Sequence, residues 1–209
     1  MSRRITILGM GPTARERRID ILRYCADTDI WGLNNGMLSY PHLKGRWARY
    51  FELHGYDYLT TWDSGCDDYF RQLNDLDCPV YVTNPIPLVL NQHLVDWPMI
   101  MDHFGVNYFL GSPSLMMALA LYEHDNGDTI SEIRSWGIDT SDPQHAQQRH
   151  SWSFWCAMAH QRGIKFGGTA IDFMGEQEMD KGLIGLREWI GNKILEHKKQ
   201  GDKETEVEA

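Results

Sequence analysis

A short apolar run, Ile5 to Leu8, ends in Gly9-Met10-Gly11-Pro12-Thr13 and passes straight into a charged, amphipathic stretch. Two glycines at such a junction let the backbone turn tightly and let another group approach the main chain. From Ala14 to about Cys25 the inward candidates are Ile19, Ile21, Leu22 and Cys25. Thr13 followed by Glu16 is a capping box, which starts a helix there. Strand, glycine turn and helix open a βαβ unit, and a βαβ unit calls for a parallel sheet.

The same alternation runs down the chain. Further strands are expected at Asp29–Leu33, Arg49–Leu53, Pro79–Thr83, Glu132–Trp136 and Ile164–Phe166. Tyr56 to Leu73 reads as a helix or a long connection, and Asp96 to Phe104 as a helix that tolerates Pro98 in its first turn. Ser112-Pro113-Ser114 opens a helix with Ser112 as N-cap and Pro113 as first helical residue. That helix runs through Leu115-Met116-Met117-Ala118-Leu119-Ala120-Leu121, apolar on nearly every side, and should be buried against the sheet. Asp142-Pro143 restarts a helix to about Gln161, with Gly163 as its breaker. A terminal helix is expected over 177–198, and a charged, disordered tail over 200–209. The fold class is therefore α/β: a single doubly wound, mostly parallel sheet with helices on both faces, Rossmann-like, in one domain over 1–199.

Charge narrows the partners. A net charge of −9 and a sequence pI near 5.4 repel a phosphate backbone, so a nucleic-acid partner is not expected. Arg15, Arg17 and Arg18 read as one turn of a solvated helix. The thiols Cys25, Cys66, Cys78 and Cys156 form no C-x-x-C pair and no disulfide framework, which fits a reducing cytoplasm. No membrane partner is expected, since no stretch resembles a signal h-region or a membrane span. A homo-oligomer is left open.

In a doubly wound sheet, ligands bind beyond the carboxyl ends of the strands. Gly9 to Thr13, Asn34-Asn35 and Gly137-Ile138-Asp139 stand at such ends, and Ser112 to Ser114 add a helix start suited to an anion. Gly9-x-Gly11-x-x-Ala14 satisfies the dinucleotide fingerprint loosely. However, Asn34 and Asn35 replace the acidic residue that would grip an NAD ribose, and Pro12 removes an N–H donor at the turn. An NAD oxidoreductase is thereby disfavoured. No G-x-x-x-x-G-K-[ST] occurs, which excludes a P-loop NTPase.

Taken in order, Gly9-Met10-Gly11-Pro12-Thr13, the strand-end Asn34, Ser112 with its apolar helix, and Gly137-Ile138-Asp139 resemble the bacterial CMP-sialic acid sialyltransferases that modify lipooligosaccharide. The G-x-G-P-[ST] turn is also similar to that of a set of small phage and bacterial proteins. The resemblance spans roughly residues 5 to 170. It implies that the Gly9–Thr13 turn and Asn34 meet the phosphate and ribose of a nucleotide. It further implies that Ser112 and Ser114 hold phosphate oxygens, that Asp139 meets the ribose or base, and that no metal or cofactor is required. The pairs Asp27/Asp29 and Asp75/Asp77 precede their strands, away from the expected ligand, and read as solvated turn residues. One departure concerns the lid that follows the Gly-Ile-Asp strand in that family and brings tyrosines and a histidine base. Here about two dozen residues hold His145, Arg149, His150 and Trp152 but no tyrosine.

Each candidate also has a plainer role. Gly9 and Gly11 serve as turn glycines, Asn34 and Asn35 as turn formers before Gly36, and Asp139 as a cap with Ser141. Glu52 and His54 alternate at a strand end and share a side, as base and orienter or as solvated groups. His145 and Arg149 stand one helical turn apart, as a phosphate clamp or an outer stripe. The leading expectation is a transferase using a nucleotide-activated donor, a nucleotide sugar, with His54 or His145 as base. The alternative is a non-catalytic protein that sequesters or senses a nucleotide.

Overall fold

The structure, a computed structural model, describes residues 2–12, 14, 22–23, 25–61, 66–139 and 145–168. Thr13, the capping box with Glu16, the Arg15–Arg18 turn, Ser141, Asp142, the helix expected over 177–198 and the tail over 200–209 lie outside these residues. Among the described residues, seven strands form one sheet: β1 (Arg3–Leu8), β2 (Asp29–Leu33), β3 (Trp47–Glu52), β4 (Val80–Val82), β5 (Gln92–Leu94), β6 (Ile130–Trp136) and β7 (Lys165–Gly168). Every neighbouring pair is parallel. The order is β5-β4-β3-β2-β1-β6-β7. The chain thus builds outward from β1 to β5, then crosses back to lay β6 on the other side of β1. The crevice of an open sheet falls at that reversal, between the carboxyl ends of β1 and β6.

Helices cover both faces. After β2 come α1 (Gly36–Ser39) and a 3-10 turn at Pro41–Leu43; after β3 come α2 (Tyr56–Leu59) and α3 (Cys66–Asn74). Their Met37, Leu43, Leu59, Phe70 and Leu73, with Tyr40 between α1 and the 3-10 turn, pack with Leu8, Tyr50 and Val80 of the sheet. On the opposite face lie α4 (Trp97–Phe104), α5 (Ser112–Asp125) and α6 (Gln148–Gln161). There Ile5, Ile7, Trp31, Phe51 and Ile133 meet Ile100, Met116, Met117 and Trp155. Alternation along each strand divides the two cores: Ile5 and Ile7 serve one, while Leu8 serves the other. Of the eight residues of α5 from Ser114 to Leu121, all but Leu115 are buried, as an all-round apolar helix requires.

Several boundaries differ from expectation. The 56–73 region is two helices, α2 and α3. β5 escapes sequence reading because Gln92-His93-Leu94 is an edge strand with little burial, so no alternation marks it. The helix placed from Asp142 begins at Gln148, and His145 to Gln147 form a turn. The residue capping α5 is Gly111, not Ser112, which is already helical. Asp96 caps α4 through its side chain, accepting from the Met99 amide at 3.0 Å.

Candidate functional site

The carboxyl ends of β1, β2, β3 and β6, with the start of α5, enclose a cleft of about 630 Å³. Its floor is a close approach of two backbones. The Gly9 amide donates to the Trp136 carbonyl at 2.7 Å, and the Gly11 amide to the Gly137 carbonyl at 3.0 Å, which continues the β1–β6 pairing past the strand ends. A Cβ on Gly9 would stand 2.3 Å from the Gly137 oxygen, so only glycine permits this contact. Gly137 adopts φ 67°, and a Cβ there would meet the Gly9 oxygen at 2.6 Å. Gly11 lies under the Asp139 carboxylate: a Cβ would come within 2.0 Å of Oδ2. Tyr40 donates its hydroxyl to the Gly9 carbonyl at 2.9 Å, which fixes the turn from the α1 side.

Asn34 ends β2 in the left-handed region, φ 50°, where asparagine is among the better-tolerated residues. Its amide donates to the Phe51 carbonyl at 3.0 Å, and its own carbonyl accepts from Tyr50 Oη at 2.7 Å. With the main chain held in this way, the side-chain Oδ1 is left buried with no hydrogen-bond partner beside the cleft.

Beyond β3 stands the most elaborate polar group of the site. Glu52, the last residue of β3, has no solvent exposure. Its Oε1 accepts from the His54 amide at 3.0 Å and faces His54 Nδ1 at 2.7 Å, while its Oε2 accepts from the Tyr69 hydroxyl. The hydrogen bond to Glu52, opposed by partial burial, raises His54 above its ordinary value of 6.5. The His54 ring also stacks on Tyr58, centroids 4.8 Å apart. With Nδ1 directed at Glu52, Nε2 is the ring nitrogen turned away from the carboxylate.

Of the residues expected at the site, Gly9, Gly11, Pro12, Asn34, Ser112, Asp139, His54 and His145 line this one cleft. Others do not. Ser114 is buried and its Oγ lies 2.8 Å from Ser151 Oγ, because the helix turn carries it toward α6. Asn35 precedes α1 and spends its carbonyl on the amides of Leu38 and Ser39. Arg149 is not in the lining; with α6 starting at Gln148, it no longer shares a helical face with His145. Glu52 is no solvated edge residue: β3 is third from the edge and α3 covers the carboxylate. Two backbone amides in the segments expected to meet phosphate are also engaged internally, Gly11 with Gly137 and Ser114 with the Gly111 carbonyl at 3.1 Å.

Sequence reading missed Gln148 and Tyr69. Gln148 lines the cleft, and its Oε1 would be 2.4 Å from a Cβ on Gly111, which accounts for glycine there. Neither carried a motif; the Leu110-Gly111-Ser112-Pro113 junction was the available hint of close packing. The ionisable residues among the described lining are His54, Asp139 and His145. No group of three His, Cys, Asp or Glu at metal-ligand spacing occurs among the described residues, and no described helix is long and apolar enough to cross a membrane.

The chain matches no protein-family model and no curated protein. Among solved structures it is similar to the sialyltransferase CstII from Campylobacter jejuni, solved in complex with a substrate analogue, cytidine-5'-monophosphate. The TM-score is 0.53 at 16% identity, over 83% of this chain and 84% of that one. The likeness is one of fold.

Proposed function

We propose that this protein binds a nucleotide in the cleft and transfers a group from a nucleotide-activated donor, a nucleotide sugar, to an acceptor hydroxyl. The observation that carries the reading is the Glu52–His54 pair, a buried carboxylate holding a half-buried imidazole at the cleft wall. A carboxylate on Nδ1 prepares Nε2 to accept a proton. In the transfer, His54 takes the acceptor's proton and the acceptor oxygen bonds to the donor carbon. The bond from that carbon to the phosphate oxygen breaks, and the nucleotide leaves with the electron pair. Ser112, in the first turn of α5, supplies its hydroxyl and the helix dipole to the growing phosphate charge. Asn34 and Asp139 meet the nucleoside, Asn34 through an amide that both donates and accepts. The fold shared with CstII, itself solved with cytidine-5'-monophosphate, supports a nucleotide ligand. His145 is the second candidate for the base. Binding requires no divalent metal, so a chelator leaves the Kd unchanged.

The engaged Gly11 and Ser114 amides favour a second reading, a protein that holds a nucleotide without chemistry. One experiment separates the two. Melting is followed with nucleotides, nucleotide sugars and dinucleotides; a ligand at about 100 times its Kd adds about 2.7 kcal/mol. The best binder is then incubated with hydroxyl acceptors and released nucleotide is quantified for wild type, His54→Ala and His145→Ala. Loss of the base lowers the rate about 10²–10⁴-fold with binding little changed. Tight binding with no release from wild type identifies a sequestering protein.

A further inference from the structure

Tyr69 lies on α3, with 4% of its surface exposed, in the cluster that holds Leu59, Phe70, Leu73, Val80 and Val82. A phenylalanine would fill that apolar space as well. A phenol buried there requires a partner, and the partner is Glu52 Oε2. Glu52 is in turn a carboxylate without exposure at the end of an interior strand, a costly group to hold unless its oxygens are bonded. Its two oxygens divide the work: Oε1 serves the His54 amide and ring, and Oε2 serves Tyr69.

We infer that Tyr69 is a positioning residue for His54, acting through Glu52: its hydroxyl pins Oε2 and so aims Oε1 at Nδ1. The inference rests on the reading of His54 as the base. Tyr69 also disperses the carboxylate charge. Burial first, and then the charge of Glu52, push the phenol far above its ordinary range, so it remains an O–H donor throughout the working pH range. Without that donor, the buried carboxylate keeps the His54 amide and ring as its described donors, and the imidazolium is held more tightly. Titratable groups set against the pair come from three elements among the described residues. Tyr50 and Glu52 come from β3, Tyr58 from α2 and Tyr69 from α3. Asp139 and His145 stand elsewhere in the cleft lining. A purely structural role, a staple between β3 and α3, would affect melting but leave the His54 titration unmoved.

The test follows His54 by long-range proton–nitrogen NMR across a pH titration of the full chain. In wild type the neutral ring carries its proton on Nδ1 and titrates above 6.5. Tyr69→Phe moves the titration upward by about one unit, about tenfold in proton affinity. The acid limb of nucleotide release moves with it, in kcat and not in the KM for donor. Glu52→Gln moves the titration below the wild-type point. Fluorotyrosine at position 69 keeps the ring and strengthens the donor, so it moves the titration down; it carries the test if the phenylalanine variant fails to fold. A folded phenylalanine or fluorotyrosine protein whose His54 titrates as in wild type overturns the inference. If wild type releases no nucleotide, the transferase reading falls, while the titration still decides whether Tyr69 acts on His54.

Discussion

Two glycine substitutions in the first turn, at Gly9 and Gly11, separate the cleft from the fold. A Cβ on Gly11 would come within 2.0 Å of Asp139 Oδ2, 2.6 Å of Cγ and 2.9 Å of Cβ. Rotation about χ1 of Asp139 removes the first two clashes, and the third asks a shift of a few tenths of an ångström. A Cβ on Gly9 meets backbone instead, 2.3 Å from the Gly137 oxygen and 2.9 Å from its carbon. That backbone is tied down by two hydrogen bonds, from the Gly9 amide to the Trp136 carbonyl and from the Gly11 amide to the Gly137 carbonyl. Overpacking costs about 1–3 kcal/mol, and the ability of the neighbour to yield decides the position in that range. Gly9→Ala belongs near about 3 kcal/mol and Gly11→Ala near about 1. A domain of this size melts about 2–4 °C lower per kcal/mol. Gly9→Ala should therefore melt about 6–12 °C below wild type, and Gly11→Ala about 2–4 °C below. Because Asp139 must leave its place, Gly11→Ala should also lose the upward shift that nucleotide gives wild type. Scanning fluorimetry with and without ligand measures both effects. A Gly11→Ala protein that melts as low as Gly9→Ala, or that is stabilised by nucleotide like wild type, refutes the reasoning.

The two serines of α5 should part company. Ser112→Ala weakens nucleotide binding with little change in melting, whereas Ser114→Ala, which removes the bond to Ser151, costs about 1 kcal/mol and leaves affinity intact; calorimetry and urea melts read the two. The His54–Glu52 pair has a raised folded value for His54. Its stabilisation is therefore present in full below about 6.5 and lost as pH rises through that higher folded value. The melting difference between wild type and His54→Ala should shrink from pH 6 toward alkaline pH; a difference that grows contradicts the pairing. Asp125 is held down to about 2, first by the hydrogen bond from Arg162 and also by His103. Its contribution is present in full above about 4 and is lost as pH falls through about 2. Asp125→Asn should therefore cost about 1 kcal/mol at neutral pH, allowing for solvent screening, and progressively less as the pH is lowered through the folded value. Equal urea midpoints at pH 7 would refute it.

Local signals determined much of this protein in advance. β2 falls where its apolar run placed it, β1 adds only two residues at its start, and Gly163 ends α6 with φ 73°. The capped start of α4 and the burial of Met116 and Met117 follow from periods and turn chemistry that the chain carries within a few residues. The glycines at 9 and 11 announced a close approach, but not to what. That Gly9 meets Gly137 and Gly11 meets Asp139 depends on β6 lying beside β1, a pairing between segments more than 120 residues apart. The strand order also brings His54 into the same cleft as Asp139. Burial of Glu52 depends on α3 closing over the end of β3, and the direction of Ser114 on the packing of α5 against α6. Sequence spacing encodes which residues share one element's face. Which face meets which is settled only when the sheet is ordered and its helices are packed, because those contacts join residues that have no local relation along the chain.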